Sequence, residues 1–411
     1  MRLKREIPSP GSFELAPAPH ICILGGGFGG LYCALALHHY RRRLPQGVRV
    51  TLVEPRDRFT FTPLVYELLT HELSPSEIAP AYADLLAHTT VTRCQDWVET
   101  IDLAQRQVIL RRGEALTYDY LVVALGSGLR PPAVPSSHAH ALPFNTLEDL
   151  WNLDRRLTAL ERQSSTAPIR IVIAGAGPSG IELACKLADR LGSRGQITLL
   201  ERRAVILRSH PAPLQRAAAQ ALRKRGVEVY THVPIDRVEA NAVFFQRQGQ
   251  PQQRQADMIL WTVGTVPRPW PGLACPKQTP LGQCLVRPTL QLLGHDRVFV
   301  LGDMAAMPAA GRDRAPMTAQ AAFQAAPVVA HNLWAKIAHR PLRPFTYKHL
   351  GDMLTLGQGE AVICGPLGGF TLCLTGRLGG FGRRWAYWLR LPTWGHRWRT
   401  LRYRLGRLKH P

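Results

Sequence analysis

The stretch from residue 20 to residue 40, HICILGGGFGGLYCALALHHY, decides the fold. His20 to Leu24 reads as a short buried strand, and Leu31 to Tyr40 has helical composition and spacing. Between them Gly25, Gly27 and Gly30 stand at GxGxxG spacing. Glycines there let the backbone approach a pyrophosphate, and the helix N-terminus offers it unpaired N–H groups and a partial positive charge. A second strand over 48–53 ends in Glu54, where a carboxylate can accept hydrogen bonds from ribose hydroxyls. Strand, glycine turn, helix and acid together predict a dinucleotide site.

The pattern returns downstream. Ile169 to Ala174 leads into Gly175, Gly177 and Gly180, then a helix, then a strand over 197–200 ending in Glu201. Two complete βαβ fingerprints in one chain imply two dinucleotides held at once. Between them, residues 118–126 form a strand closing on Gly126, and residues 257–264 repeat that design up to Gly264. After both, RVFVLGD (297–303) is a strand ending in Gly302 and Asp303, a carboxylate at the carboxyl end of a sheet, where open α/β folds bind ligands. This order predicts an α/β flavoprotein with two dinucleotide-binding domains. A discontinuous FAD domain (19–145 and 285–345) is interrupted by an NAD(P)H domain (146–284). A hairpin and basic amphipathic helices (346–411) follow, and residues 1–18, which lack an apolar run, read as a flexible leader.

The 411 residues carry 51 Lys and Arg against 29 Asp and Glu, a formal charge of +22, so the surface should attract polyanions. Eight cysteines show no CxxC, no CxxxxC and no Cys/His cluster, which predicts reduced, mostly buried thiols and no metal site. No window reaches ~18 uninterrupted apolar residues, so a spanning helix is not expected. Residues 383–408 hold eight arginines, four tryptophans and no carboxylate. Apolar side chains at 394, 398, 401, 405 and 408 form one helical stripe, and Phe381, Trp385, Trp388 and Leu389 form another before Pro392. Two short helices broken at Pro392-Thr393 would lie on a membrane through Trp385, Trp388, Trp394 and Trp398. Their arginines would contribute about 1 kcal/mol each near anionic lipid. Packing against the enzyme or a second subunit is the competing reading. A regular stripe suits a flat apolar surface better than unpaired bases, so nucleic acid is not expected.

The five motifs, in this order over about residues 19–330, resemble the two-dinucleotide-binding flavoprotein reductases. The disulfide reductases of that fold carry a cysteine pair that neither nucleotide domain has here. Sulfide:quinone oxidoreductases also use paired cysteines and usually lack an intact second fingerprint. What remains resembles the type II NAD(P)H:quinone oxidoreductases. PMTAQAAFQA (316–325) is similar to their AQxAxQ segment, which implies that Gln320 and Gln324 border the flavin ring and the quinone pocket. Read alone, the same residues make an Ala-rich core helix with satisfied amides. Glu182 matches a glutamate near nicotinamide and flavin, implying either proton delivery or orientation of the nicotinamide ribose. Residues 345–357 resemble the hairpin before the C-terminal helices.

RFTFTPLVYELLTHELSPSEIAP (58–80) and WAYWLRLPT (385–393) are closest to the cyanobacterial and plastid branch that reduces demethylphylloquinone, with Ser76 departing from it. The resemblance implies FAD and NAD(P)H as cofactors, hydride passing to flavin and two electrons to a lipophilic quinone, and no proton pumping; the alternatives are a general respiratory oxidoreductase acting on ubiquinone or plastoquinone and a flavin-carrying binding protein with a basic docking tail. It also implies a peripheral place on the cytoplasmic face of a thylakoid or plasma membrane, and leaves a homodimer open. Glu201 favours NADH and Arg202 and Arg203 suit a 2′-phosphate, so either nicotinamide is expected.

Overall fold

The computed structural model describes residues 18–44, 46–130, 134–163, 167–272, 276–311, 313–367 and 370–409. The leader expected over 1–18 lies outside them except for Ala18, as does Cys275.

His20–Leu24 sits at the centre of an all-parallel five-stranded sheet. Arg49–Val53 and Val91–Cys94 flank it on one side, and Tyr120–Val123 and Val298–Val300 on the other. Ile21 to Leu24, Leu121 to Val123 and Val298 to Val300 are buried apolar runs, as in a covered parallel sheet, whereas Arg49–Val53 and Val91–Cys94 toward the other edge carry Arg49, Thr51, Thr92 and Arg93. The helices Phe28–His39 and Ala319–Ile337 pack together on this sheet. The strand order returns through Val298–Val300, so residues from beyond the second fingerprint complete the first sheet.

The second sheet repeats the plan. Ile169–Ala174 lies between Gly195–Leu200, with Glu228–Tyr230 outside it, and Met258–Trp261. The fifth strand is Leu142–Pro143, paired with Met258–Trp261 four residues before the boundary expected from the sequence. The chain passes between the sheets twice, and both passages form one antiparallel ribbon, Ser127–Leu129 against Thr265–Pro267.

After Ala319–Ile337 comes a three-stranded meander, Asp352–Thr355, Ala361–Leu367 and Phe370–Leu374, then helices Gly376–Trp388 and Trp394–Lys409. The helix break falls at Pro392-Thr393, as the sequence predicts. Three glycines flatten the first helix against the meander. A Cβ at Gly379 would stand 2.3 Å from the Ala361 carbonyl oxygen, one at Gly380 2.1 Å from that of Gly359, and one at Gly382 3.0 Å from Ile363. Among the described residues no helix is long and apolar enough to cross a membrane.

Two expectations need correction. Cys364 and Cys373 are not reduced thiols. They face each other across adjacent meander strands and form a disulfide, because antiparallel pairing joins residues that no short CxxC spacing announces. Cys22 and Cys185 are buried as expected, and burial pushes each thiol up to about 12. The basic helices, second, do not offer all their cations outward. Arg383 is buried, and Arg384 and Arg399 pair with Glu72 and Asp84 of the enzyme body. Trp388 is half-buried, its indole N–H donating to the Arg397 carbonyl 3.0 Å away and so tying the two helices together.

Candidate functional site

The two fingerprints share one geometry. Gly25 (φ +93°) and Gly175 (φ +102°) make the positive-φ turn out of each strand. A Cβ on Gly30 would lie 1.8 Å from the Gly25 carbonyl oxygen, and one on Gly180 1.9 Å from that of Gly175, so the third glycine of each set closes the turn onto its helix. The middle glycines differ in kind. Nothing lies within 4 Å of a Cβ built on Gly27 or Gly177, each of which precedes a helix N-terminus. Open space over two bare helix starts fits two pyrophosphates.

The acids close each cradle. Glu54 is buried and accepts from the Gly26 N–H at 2.7 Å, and Glu201 accepts from the Ala176 N–H at 2.8 Å. Burial pushes the Glu54 carboxyl up, but the Arg56 guanidinium at 2.7 Å and the two N–H donors outweigh it and hold the group below its usual value. The other oxygen of Glu201 accepts from the Arg203 N–H at 2.8 Å, and the side chains of Arg202 and Arg203 are exposed beside it.

Gly126 (φ +74°) and Gly264 (φ +76°) turn the chain into the two strands of the crossing ribbon. Gly302 (φ +73°) places Asp303 at the carboxyl end of Val298–Val300, against the start of Ala319–Ile337. Burial raises the Asp303 carboxyl, partly offset by the Ser127 hydroxyl donating at 2.6 Å.

Gln320 and Gln324 lie on the first turns of Ala319–Ile337 with both amides engaged. Gln320 donates to the Gly351 carbonyl at 3.2 Å and accepts from the Tyr347 hydroxyl at 2.7 Å and the Leu350 N–H at 3.0 Å. Gln324 exchanges two bonds with the Lys348 backbone. Both therefore fasten the segment leading into the meander.

Glu182 lies elsewhere, on the buried face of Pro178–Leu191. Its carboxylate accepts from the Thr355 N–H at 2.9 Å and faces Arg383 at 3.5 Å. Burial raises its carboxyl to about 7, and Arg383 and Thr355 hold it from rising further. Arg383 reaches in from Gly376–Trp388, forms an ion pair with buried Glu67 and donates to the Pro63 carbonyl at 2.5 Å. Tyr66 donates to Ser179 of the second glycine turn at 3.0 Å. Sequence reasoning missed Tyr66, Glu67 and Arg383 as site residues. The available signal was a carboxylate inside the apolar run LVYELL, which a core tolerates only with a partner. A second such hub lies nearby, where Glu72 accepts from buried Lys186, Arg384 and the Gly359 N–H.

The model for the pyridine nucleotide-disulphide oxidoreductase family matches residues 19–326. Demethylphylloquinone reductase NdbB of Synechocystis is 41% identical over 383 residues, 92% of this chain and 93% of that protein. The chain belongs to that family, among the type II NAD(P)H:quinone oxidoreductases. The alternative NAD(P)H-ubiquinone oxidoreductase C1 of Arabidopsis thaliana is 36% identical, covering 93% of this chain and 79% of its own. NDH2 of Plasmodium falciparum shares the fold at a TM-score of 0.81 and 17% identity, covering 93% of this chain and 97% of its own. As a family member the protein is an oxidoreductase that uses FAD and NAD(P)H, and the open turns at Gly27 and Gly177 fit both.

Proposed function

We propose that the protein oxidises NAD(P)H and reduces a membrane quinone of the naphthoquinone class, demethylphylloquinone being the favoured member, while seated on a lipid surface. Bound FAD supplies a carrier that takes hydride from the nicotinamide and gives up two electrons. The chain's own residues orient and protonate. Gly25, Gly27, Gly30 and Glu54 would hold the flavin nucleotide, with Gly126, Gly302 and Asp303 beside it. Gly175, Gly177, Gly180, Glu201 and Gly264 would hold the nicotinamide nucleotide. Exposed Arg202 and Arg203 next to Glu201 support use of either NADH or NADPH. Gln320 and Gln324 act as positioning residues, fixing residues 347–351.

The observation that carries this reading is the path from second fingerprint to surface. Glu182, on the fingerprint helix, meets Arg383 on a helix whose opposite face exposes Leu378, Phe381 (73% exposed), Trp385 and Leu389. Trp394 (64%) and Trp398 (55%) on the next helix are exposed as well, as are Arg377 and Arg402. Indole rings and cations suit the headgroup boundary of an anionic bilayer. A lipid-soluble quinone is met there.

The test is anaerobic reduction of the purified yellow protein by NADH and by NADPH, followed by reoxidation with a panel of naphtho- and benzoquinones. Bleaching by both nucleotides and fastest recovery with naphthoquinones is expected. Recovery with benzoquinones alone would favour a general respiratory role, and a protein that no nicotinamide bleaches would end the proposal.

A further inference from the structure

The Glu67–Arg383–Glu182 cluster holds two carboxylates against one guanidinium, and all three side chains are buried. Arg383 stands between the acids, one nitrogen on Glu67 and another facing Glu182. The other groups around Glu182 are the Thr355 N–H from the meander, Cys185 from its own helix, Tyr66 from 62–68 and Tyr387 from the C-terminal helix. None of these adds a positive charge, and in the neighbouring hub buried Lys186 and half-exposed Arg384 share Glu72. With both acids ionised the buried trio would carry one negative charge in excess, and the surplus cation of the neighbouring hub is Arg384, which solvent partly screens. With one proton it is neutral. One atom also lacks a donor: among the described residues the second carboxylate oxygen of Glu67 has no hydrogen-bond partner.

We propose that Glu67, fixed on Arg383, is a positioning residue of the quinone-reducing site: facing Glu182 across the guanidinium, its carboxylate keeps a proton on Glu182. This deepens the reading above and rests on it. Reduction of a quinone by NAD(P)H consumes one proton beyond the hydride: NAD(P)H, H⁺ and quinone become NAD(P)⁺ and quinol. The proton on Glu182 matches that requirement one for one and is replaced from solvent after each turnover. Arg383 is the positioning residue that keeps the remaining negative charge balanced as the proton leaves. Because it belongs to the helix bearing the exposed tryptophans, the proton reserve is assembled only when that helix is docked.

The test is single-turnover reoxidation of the NADH-reduced holoprotein by menadione across the pH range. In the wild type the rate should fall as pH rises through neutrality, as the pair loses its proton. In Glu67→Gln, Glu182 no longer has a like charge beside it, so that fall should move to lower pH by about one unit or more. Glu67→Asp should move it back toward the wild-type position. Reduction by NADH, which needs no proton from this pair, should keep its pH profile in both variants. A Glu67→Gln protein that stays yellow and superimposes on the wild type overturns the proposal. Should that variant fail to fold, infrared titration of the wild type reads the proton without any quinone. The carbonyl stretch of a protonated carboxylic acid should be present at neutral pH and vanish on alkalinisation, and its absence throughout would equally overturn the proposal. If menadione reoxidises no variant while the infrared band titrates, the quinone reading fails and the proton on Glu182 stands.

Discussion

Gly27 and Gly30 belong to one turn, but substitutions at them should fail differently. A Cβ at Gly30 would overlap the Gly25 carbonyl, so Gly30→Ala should destabilise the turn itself and lower the yield of folded protein. Gly27 faces open space, so Gly27→Trp should leave a folded chain whose indole fills the pyrophosphate's place. It should purify colourless with a cooperative thermal transition, and a yellow, active variant would refute the assignment. At Glu182 the carboxyl is raised from 4.5 to about 7, so between those pH values the folded chain binds more protons there than the unfolded chain. That contribution to stability is present below pH 4.5 and is lost as pH rises through about 7. Glu182→Gln should remove it, and the difference in urea midpoint between variant and wild type, followed against pH, measures it. The glycine turns and the acids that bond them were readable because a tight strand-to-helix turn permits few residue types at fixed spacing. Glu67 and Arg383 were not, because their partners are 316 residues apart and no local period links them.

At the scale of elements, the C-terminal helices have two faces with opposite duties. The inner face carries Gly379, Gly380, Arg383 and Tyr387, and the outer face Leu378, Phe381, Trp385 and Leu389. Of the amphipathic stripe, Phe381, Trp385 and Leu389 are exposed, whereas Trp388 turns to the next helix and Leu378, outside the stripe, joins the outer face. The stripe did not predict that arginines would be drawn inward, since a helical wheel counts charge without knowing what the wheel rests on. Deleting residues 377–411 would therefore strand Glu67 without its cation and leave Glu72 with Lys186 alone, as well as remove the tryptophans. Such a truncation should lose about 3–5 kcal/mol of stability in addition to any membrane affinity. Replacing Phe381, Trp385, Trp394 and Trp398 together by Ser is the cleaner change. It should leave the thermal midpoint nearly unmoved and weaken sedimentation with phosphatidylglycerol vesicles by more than ~10-fold, given ~1.5–3 kcal/mol for each large apolar side chain buried. Gly380→Leu should do the reverse, prising the helix from the meander while the outer face stays intact. Faster proteolysis after residue 375, with vesicle binding retained, is the expected signature.

Over the whole molecule, the charge of +22 predicts that vesicle binding weakens as salt rises and that neutral phosphatidylcholine vesicles bind least. Sedimentation at graded salt measures it, and binding indifferent to both salt and lipid charge would leave the apolar face as the sole attraction. The doubly wound plan was legible from the order of strands and glycine turns, because parallel sheets demand crossovers that leave long periodic signals. Two features were not. Leu142–Pro143 is too short to show a period, and Cys364–Cys373 depends on strand register, which sequence spacing does not state. The ribbon of Ser127–Leu129 and Thr265–Pro267 was equally hidden. It leaves Leu129 and Thr265 directly opposite one another, about 5 Å apart at their Cα atoms as in any antiparallel pair. The inserted lobe thus leaves and rejoins its host through neighbouring points, like a bead on a pinched thread. A two-residue graft from 129 to 265 would span that gap, and the excised lobe, with its own ends adjoining, is suited to circularisation.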